Sequence, residues 1–192
     1  MFHIPVKLRI ERPSLSISFS RFWDKDEHSN FISLKFGVQK SNLFDKNITL
    51  TAEYTRTNPI AYRHFVNSTT YASNQYNLGH YLRDNAQEIA FEVQYKPIAR
   101  LRIEASIILA EKGEEYEYTG TGGSGLGLSF IENKKWESSS MLFTANYEIF
   151  NDVFFFAQIQ QREVTSVDQI RYTYKDNRGK TTTMSGGLSI GF

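Results

Sequence analysis

Eight stretches of this chain alternate apolar and polar residues with a period of two, and that rhythm restricts the fold more than anything else in the sequence. The apolar members are Leu15, Ile17 and Phe19, then Ile32, Leu34, Phe36 and Val38, then Ile48, Leu50, Ala52 and Tyr54. Ile89, Phe91, Val93 and Tyr95 follow, then Leu101, Ile103, Ala105, Ile107 and Leu109. The last three sets are Met141, Phe143, Ala145, Tyr147 and Ile149; Val153, Phe155, Ala157 and Ile159; and Met184, Gly186, Leu188, Ile190 and Phe192. A helix would group apolar residues three and four apart, whereas a strand sends successive side chains to opposite faces. The spacing therefore predicts strands with one apolar face, and no Lys, Arg, Asp or Glu occupies any of these positions. An earlier run, Ile4, Val6, Leu8 and Ile10, is bracketed by Pro5 and Pro13. Proline cannot donate to a ladder, so residues 1–13 read as an edge or approach segment.

The connections alternate as well. In order they cover residues 22–30, 41–46, 57–86, 97–99, 112–136, 151–152 and 166–181, so each short turn is followed by a long loop. Outer-membrane barrels have this asymmetry, with tight periplasmic turns and extended extracellular loops. The expected fold is all-β, an antiparallel transmembrane β-barrel of about eight strands in one domain over residues 1–192, with long loops at 57–86, 112–136 and 166–181 outside the cell. The final alternation ends on an aromatic residue, and Leu188, Ile190 and Phe192 resemble the signal by which barrel-assembly machinery recognises its clients. A soluble sandwich tolerates the same strands with the apolar face turned inward; strict loop asymmetry favours the membrane.

Composition agrees without deciding. Lys plus Arg total 22 against 21 Asp plus Glu, a net charge of +1, so no basic field points to nucleic acid. Mean hydropathy is −0.44, and no run of about 20 apolar residues forms a spanning helix. A barrel needs only every second residue apolar, so its mean hydropathy averages out. Aromatic residues make up 15% of the chain, including 11 Tyr and 15 Phe, which suits girdles at two lipid–water interfaces. Cysteine is absent, removing disulfides and thiolate metal sites. Residues 1–30 lack the basic end and apolar core of a secretory signal, so the chain reads as mature material or as the C-terminal part of something longer.

The face opposite the apolar one carries Lys35, Glu53, Glu92, Lys96, Arg102, Glu104, Glu148 and Arg162, charges that would line a lumen and pair across it or border water. The 57–86 loop mixes Tyr62, His64, Tyr71, Tyr76, His80 and Tyr81 with Arg63, Arg83 and several Asn. Flat rings beside amide and guanidinium donors match the C–H faces and hydroxyl edges of a sugar, while the plainer role for each ring is to pack the loop onto the barrel mouth. Catalytic patterns are weak. His80 with Asp84 and Ser73 has no spacing that fixes a triad, the Gly120–Gly127 run lacks the Gly-Lys-Ser/Thr ending of a phosphate loop, and Glu114, Glu115 and Glu117 lack calcium-loop spacing. The chain reads as a non-enzyme without cofactor or metal.

Glu53-Tyr54-Thr55-Arg56-Thr57-Asn58-Pro59, followed by Tyr76-Asn77-Leu78-Gly79-His80-Tyr81-Leu82 and then Asn85, resembles a segment of the Wzi-like capsule-assembly outer-membrane proteins. The branch it is most similar to is the Bacteroidetes type, whose relatives are also linked to gliding motility. The similarity is best over residues 31–111. It implies an approximately 18-stranded barrel, of which this chain would be the C-terminal part, acting as a surface lectin for capsular or other surface polysaccharide in the outer membrane. The residues it nominates for polysaccharide are Arg56, Asn58, Tyr62, His64, Tyr76, His80, Arg83 and Asn85. A porin-like transport barrel, with the charged lumen setting selectivity, is the other membrane reading.

Overall fold

The computed structural model describes residues 32–62, 79–116, 128–167 and 178–191, together with the backbone of 72–73 and 76–77. Seven strands form one antiparallel sheet: β1 (Ser33–Lys40), β2 (Ile48–Thr57), β5 (Ala86–Ile98), β6 (Leu101–Lys112), β7 (Trp136–Phe150), β8 (Val153–Ser166) and β9 (Gly179–Ile190). Each pairs with its neighbour in chain order. Two-residue strands β3 (Ala72–Ser73) and β4 (Tyr76–Asn77) pair separately, within the connection from β2 to β5. The predicted strand near Leu15, the 1–13 segment, and Phe192 lie outside the described residues.

Six of the predicted connections are present, and they alternate as expected: short ones join β1 to β2, β5 to β6 and β7 to β8 at one end of the sheet, and long ones join the others at the opposite end. The strands reach further than the alternation suggested, to as many as 15 residues in β7, because ladder pairing continues through the polar residues flanking each apolar run. Pro97 was expected in the turn and instead stays in β5, where the ladder breaks between Tyr95 and Ile98 and no donor is needed. The turn is Ala99–Arg100. In the β7–β8 hairpin, Asp152 takes a left-handed φ of 63°, a conformation Asp tolerates. A register shift after Glu148 sets Phe150 opposite Val153, so Phe150 takes the place on the apolar face expected of Ile149.

The register places the apolar residues of all seven strands on one face. One row runs Phe36, Tyr54, Ile89 and Leu109; the next runs Val38, Ala52, Phe91, Ile107 and Met141. Further along, Ala105, Phe143, Ile159 and Met184 align, then Tyr147, Phe155 and Leu188. These side chains are not a core. Phe36 is 54% exposed, Phe143 47% and Leu188 66%. The buried apolar cluster, Leu82, Ala86, Ala110, Trp136 and Val164, sits on the opposite face at the long-loop end. The sheet is open among the described residues, with β1 and β9 as its two edges, so barrel closure is not part of the observed architecture.

Candidate functional site at the loop end

The polar face narrows in side-chain size where the loops meet it. Ala86 faces Lys112, Ala110 faces Ser138, and Ser138 faces Val164. These short side chains leave room for residues 79–85 to fold down onto the sheet, and Trp136 and Leu82 fill the space. The connection after β2 is bound to the same place, with Asn58 N–H donating to Ile32 O at 3.0 Å.

Asn85 ties two loops together. It is fully buried with φ 53°, a left-handed conformation that Asn adopts more readily than most residues. Its Nδ2 donates to Glu114 O at 2.8 Å, and its Oδ1 accepts from Ile131 N at 2.9 Å. Its own N–H donates to Asn58 O, and its carbonyl accepts from Gly113 N at 2.8 Å. A Cβ on Gly113 would lie 2.5 Å from Asn85 Nδ2 and 2.9 Å from Ile131 Cα, so the close approach requires glycine. Asn85 has no surface to offer a sugar; its place is architectural, in contrast to the contact expected of it from sequence.

Tyr62 is the second junction. Its N–H donates to Asp84 Oδ1 at 2.7 Å, and its hydroxyl lies 3.0 Å from Ser33 Oγ while accepting from His80 N at 3.2 Å. A Cβ on Gly79 would fall 2.4 Å from Tyr62 Cζ, which explains glycine beside His80. The Lys112 ammonium is buried beneath this loop, donating to Leu82 O at 3.0 Å and Glu115 Oε1 at 2.9 Å. A charged group so placed is stable only with such partners.

Above the junctions lies a more accessible layer. The carboxylate beside the His80 ring is Glu88, 3.6 Å from Nε2, while Asp84 Oδ1 accepts from the Tyr62 backbone N–H; the Ser73 side chain of the sequence triad lies outside the described residues. Glu88 also accepts from the Tyr81 hydroxyl. Shielding from water, and after it the bond and charge of Glu88, push the Tyr81 phenol above its usual range. Arg56 stacks over the Phe130 ring at 3.8 Å and donates through Nε to Asn58 Oδ1 at 3.1 Å, a cation–π contact that fixes the guanidinium plane. Arg83 is exposed with φ 63°. At the adjoining rim Lys134 bridges Glu111 at 2.6 Å and Glu137 at 3.2 Å, and those carboxylates, Glu111 foremost, hold its ammonium above the ordinary lysine range.

Of the eight residues nominated for polysaccharide, the structure brings Arg56, Asn58, Tyr62, His80, Arg83 and Asn85 to this end. His64 is outside the described residues, and for Tyr76 only the backbone, paired with Ser73 in the β3–β4 hairpin, is described. The charges expected to line a lumen all lie on the polar face. Lys35 pairs with Glu53 at 3.2 Å, and Arg102 with Glu104 at 3.2 Å. Glu92, Lys96 and Arg162 are exposed, and Glu148 is half-buried at the turn end. Phe130, Glu88 and Lys112 were missed from sequence; the three-residue step from Lys112 to Glu115 was the available signal for the last. Among the described residues no group of His, Asp and Glu is arranged to hold a metal, and no helix is long and apolar enough to cross a membrane. Comparison with family models, curated proteins and solved structures found no match for this chain.

Proposed function

We propose that this chain is an outer-membrane β-barrel, or part of a larger one, whose long-loop end engages capsular or other surface polysaccharide without catalysing a reaction. The observation that carries the membrane reading is the inversion of the sheet: among the described residues, large apolar side chains of six of the seven strands are exposed on one face, while the buried cluster sits on the other. In water a contiguous apolar surface of this extent is a liability, whereas lipid requires it. A strand of 12 residues such as β6 extends about 40 Å, enough to cross a hydrocarbon core of about 30 Å when tilted. Closure by further strand pairing at the β1 and β9 edges belongs to the proposal, since open edges do not persist in lipid.

The polysaccharide assignment rests on the resemblance to Wzi-like proteins and on the chemistry of the loop end, where exposed Arg83, the stacked Arg56 and the Tyr81 and His80 rings offer flat apolar surfaces and charged donors side by side. Under this reading Leu188 and Ile190, on the apolar face of β9, belong with Phe192 to the segment recognised by barrel-assembly machinery. Capsule pull-down compares the parent with a chain carrying Arg83→Ala and Tyr76→Ala; retention is expected to fall, and undiminished retention counts against this site. The porin-like reading has its own support in exposed Glu92, Lys96 and Arg162 on the polar face. Planar-bilayer conductance that changes selectivity on Glu92→Gln favours transport over a lectin. Recovery of a monodisperse species without detergent sinks both.

A further inference from the structure

At the other end of the sheet, by the short turns, the polar face contains an open cavity of about 480 Å³, lined among others by Lys96, Arg100, Arg102, Glu148, Phe154 and Phe156. Two features set it apart from the rest of that face. The first is charge: three cations, Lys96, Arg100 and Arg102, line it together with one half-buried carboxylate, Glu148. Arg100 is held in place across the β7–β8 hairpin, donating to Ile149 O at 3.2 Å and to Asn151 Oδ1 at 3.4 Å, and Arg102 meets Glu104 through its Nε edge. Lys96 is exposed at the end of β5.

The second is aromatic. Along β8 the polar face carries Gln158, Gln160 and Arg162, and then Val164 in the buried cluster at the loop end, but here it carries Phe154 and Phe156, opposite Ser189 and Gly187. A Cβ at Gly187 would come within 3.0 Å of the Phe156 ring, so β9 gives up a side chain to accommodate that ring. Rings placed where alternation calls for polar residues do not serve the apolar belt, and they border the same space as the cations.

We propose that this cavity binds an acidic ring ligand, a carboxylate joined to a ring with a flat apolar face, with the ring against Phe154 and Phe156 and the carboxylate among Lys96, Arg100 and Arg102. An acidic sugar and an aromatic acid share this chemistry. The site lies at the end of the sheet away from the loops and does not depend on the polysaccharide reading of the loop end.

Titration calorimetry on the detergent-solubilised full chain uses trigalacturonate, benzoate and neutral galactotriose as probes. Binding of either acid with no binding of galactotriose supports the proposal, and the acid that binds identifies the source. Lys96→Gln and Arg102→Gln, both at accessible positions, should each weaken binding about fivefold, the scale of an exposed ion pair. Glu148→Gln removes the opposing charge and should tighten it. Phe156→Ala should weaken it without changing its salt dependence. The proposal is overturned if neither acid binds at millimolar concentration, if galactotriose binds equally well, or if Glu148→Gln and Lys96→Gln shift affinity in the same direction.

Discussion

The two faces of this sheet are built from the same alternation, yet they solve opposite problems. Among the described residues, the apolar face has large side chains of six of the seven strands exposed, aligned in rows with their neighbours. Among the described residues the buried apolar cluster is on the polar face, where residues 79–85 fold onto it over Ala86, Ala110, Trp136 and Val164. In a water-soluble sheet the apolar face is the one covered. The contrast teaches that alternation alone reports two-sidedness and not which side meets water; the loops supply that information by choosing the face they pack against.

The largest expected effect breaks this comparison at the centre of the apolar belt. Phe91→Lys, between Ala52 and Ile107 in the ladder, should cost about 2 to 4 kcal/mol of folding free energy in a bilayer, since Lys at the midplane of a lipid face must be desolvated or snorkel away. Folding into vesicles, followed by heat-modifiable gel migration and urea titration, measures it. Ser106→Lys, on the polar face of the same region, should cost far less. If the two substitutions cost the same, the faces do not differ in environment and the membrane reading fails.

Next comes the hub that holds the loops to the polar face. Asn85→Ala leaves Glu114 O and Ile131 N without their buried partner, and each such loss costs about 1 to 3 kcal/mol. Limited proteolysis should then cut within 79–85 or 128–135 while the strands remain protected. Lys35→Gln is the control for a solvated polar face: the Lys35–Glu53 pair is about two-fifths exposed on both sides, so its loss should change stability by less than about 1 kcal/mol, read in the same urea titration.

Legibility from the sequence followed the same division. Strand direction, the apolar face and the order of short and long connections were readable because each depends on a local period of two that ladder pairing only extends. The Asn151-Asp152 turn was readable because the residues tolerate the backbone it needs. Asn85 was singled out for the wrong reason: the sequence shows an amide in a Tyr- and His-rich loop, but not that its two ends are taken by Glu114 and Ile131, 29 and 46 residues away. The same holds for Arg56 on Phe130 and for Glu88 beside His80, contacts set by how the loops return to the sheet. Phe154 and Phe156 were visible as a break in alternation, and only the register showed that they share a cavity with Arg100 and Lys96.

The smallest effect sharpens the description of the loop layer, which contacts both protein and water. Tyr81 is 65% exposed as a whole, while its hydroxyl end is committed to Glu88. Loss of water around that hydroxyl, then the hydrogen bond and negative charge of Glu88, favour the neutral phenol. Its value in the folded chain is therefore raised above that in the unfolded one, so the stability it contributes is fully present below the ordinary phenol value of about 10 and is lost as pH rises through the folded value. Ultraviolet titration of the parent minus Tyr81→Phe should show one phenol ionising later than the bulk of the tyrosines. Glu88→Gln should bring that ionisation back toward the ordinary value while leaving the others in place. A parent-minus-variant curve with its midpoint at the ordinary value means that the Tyr81–Glu88 contact is not held in solution, and that the outer layer of the loop is looser than the Asn85 junction beneath it.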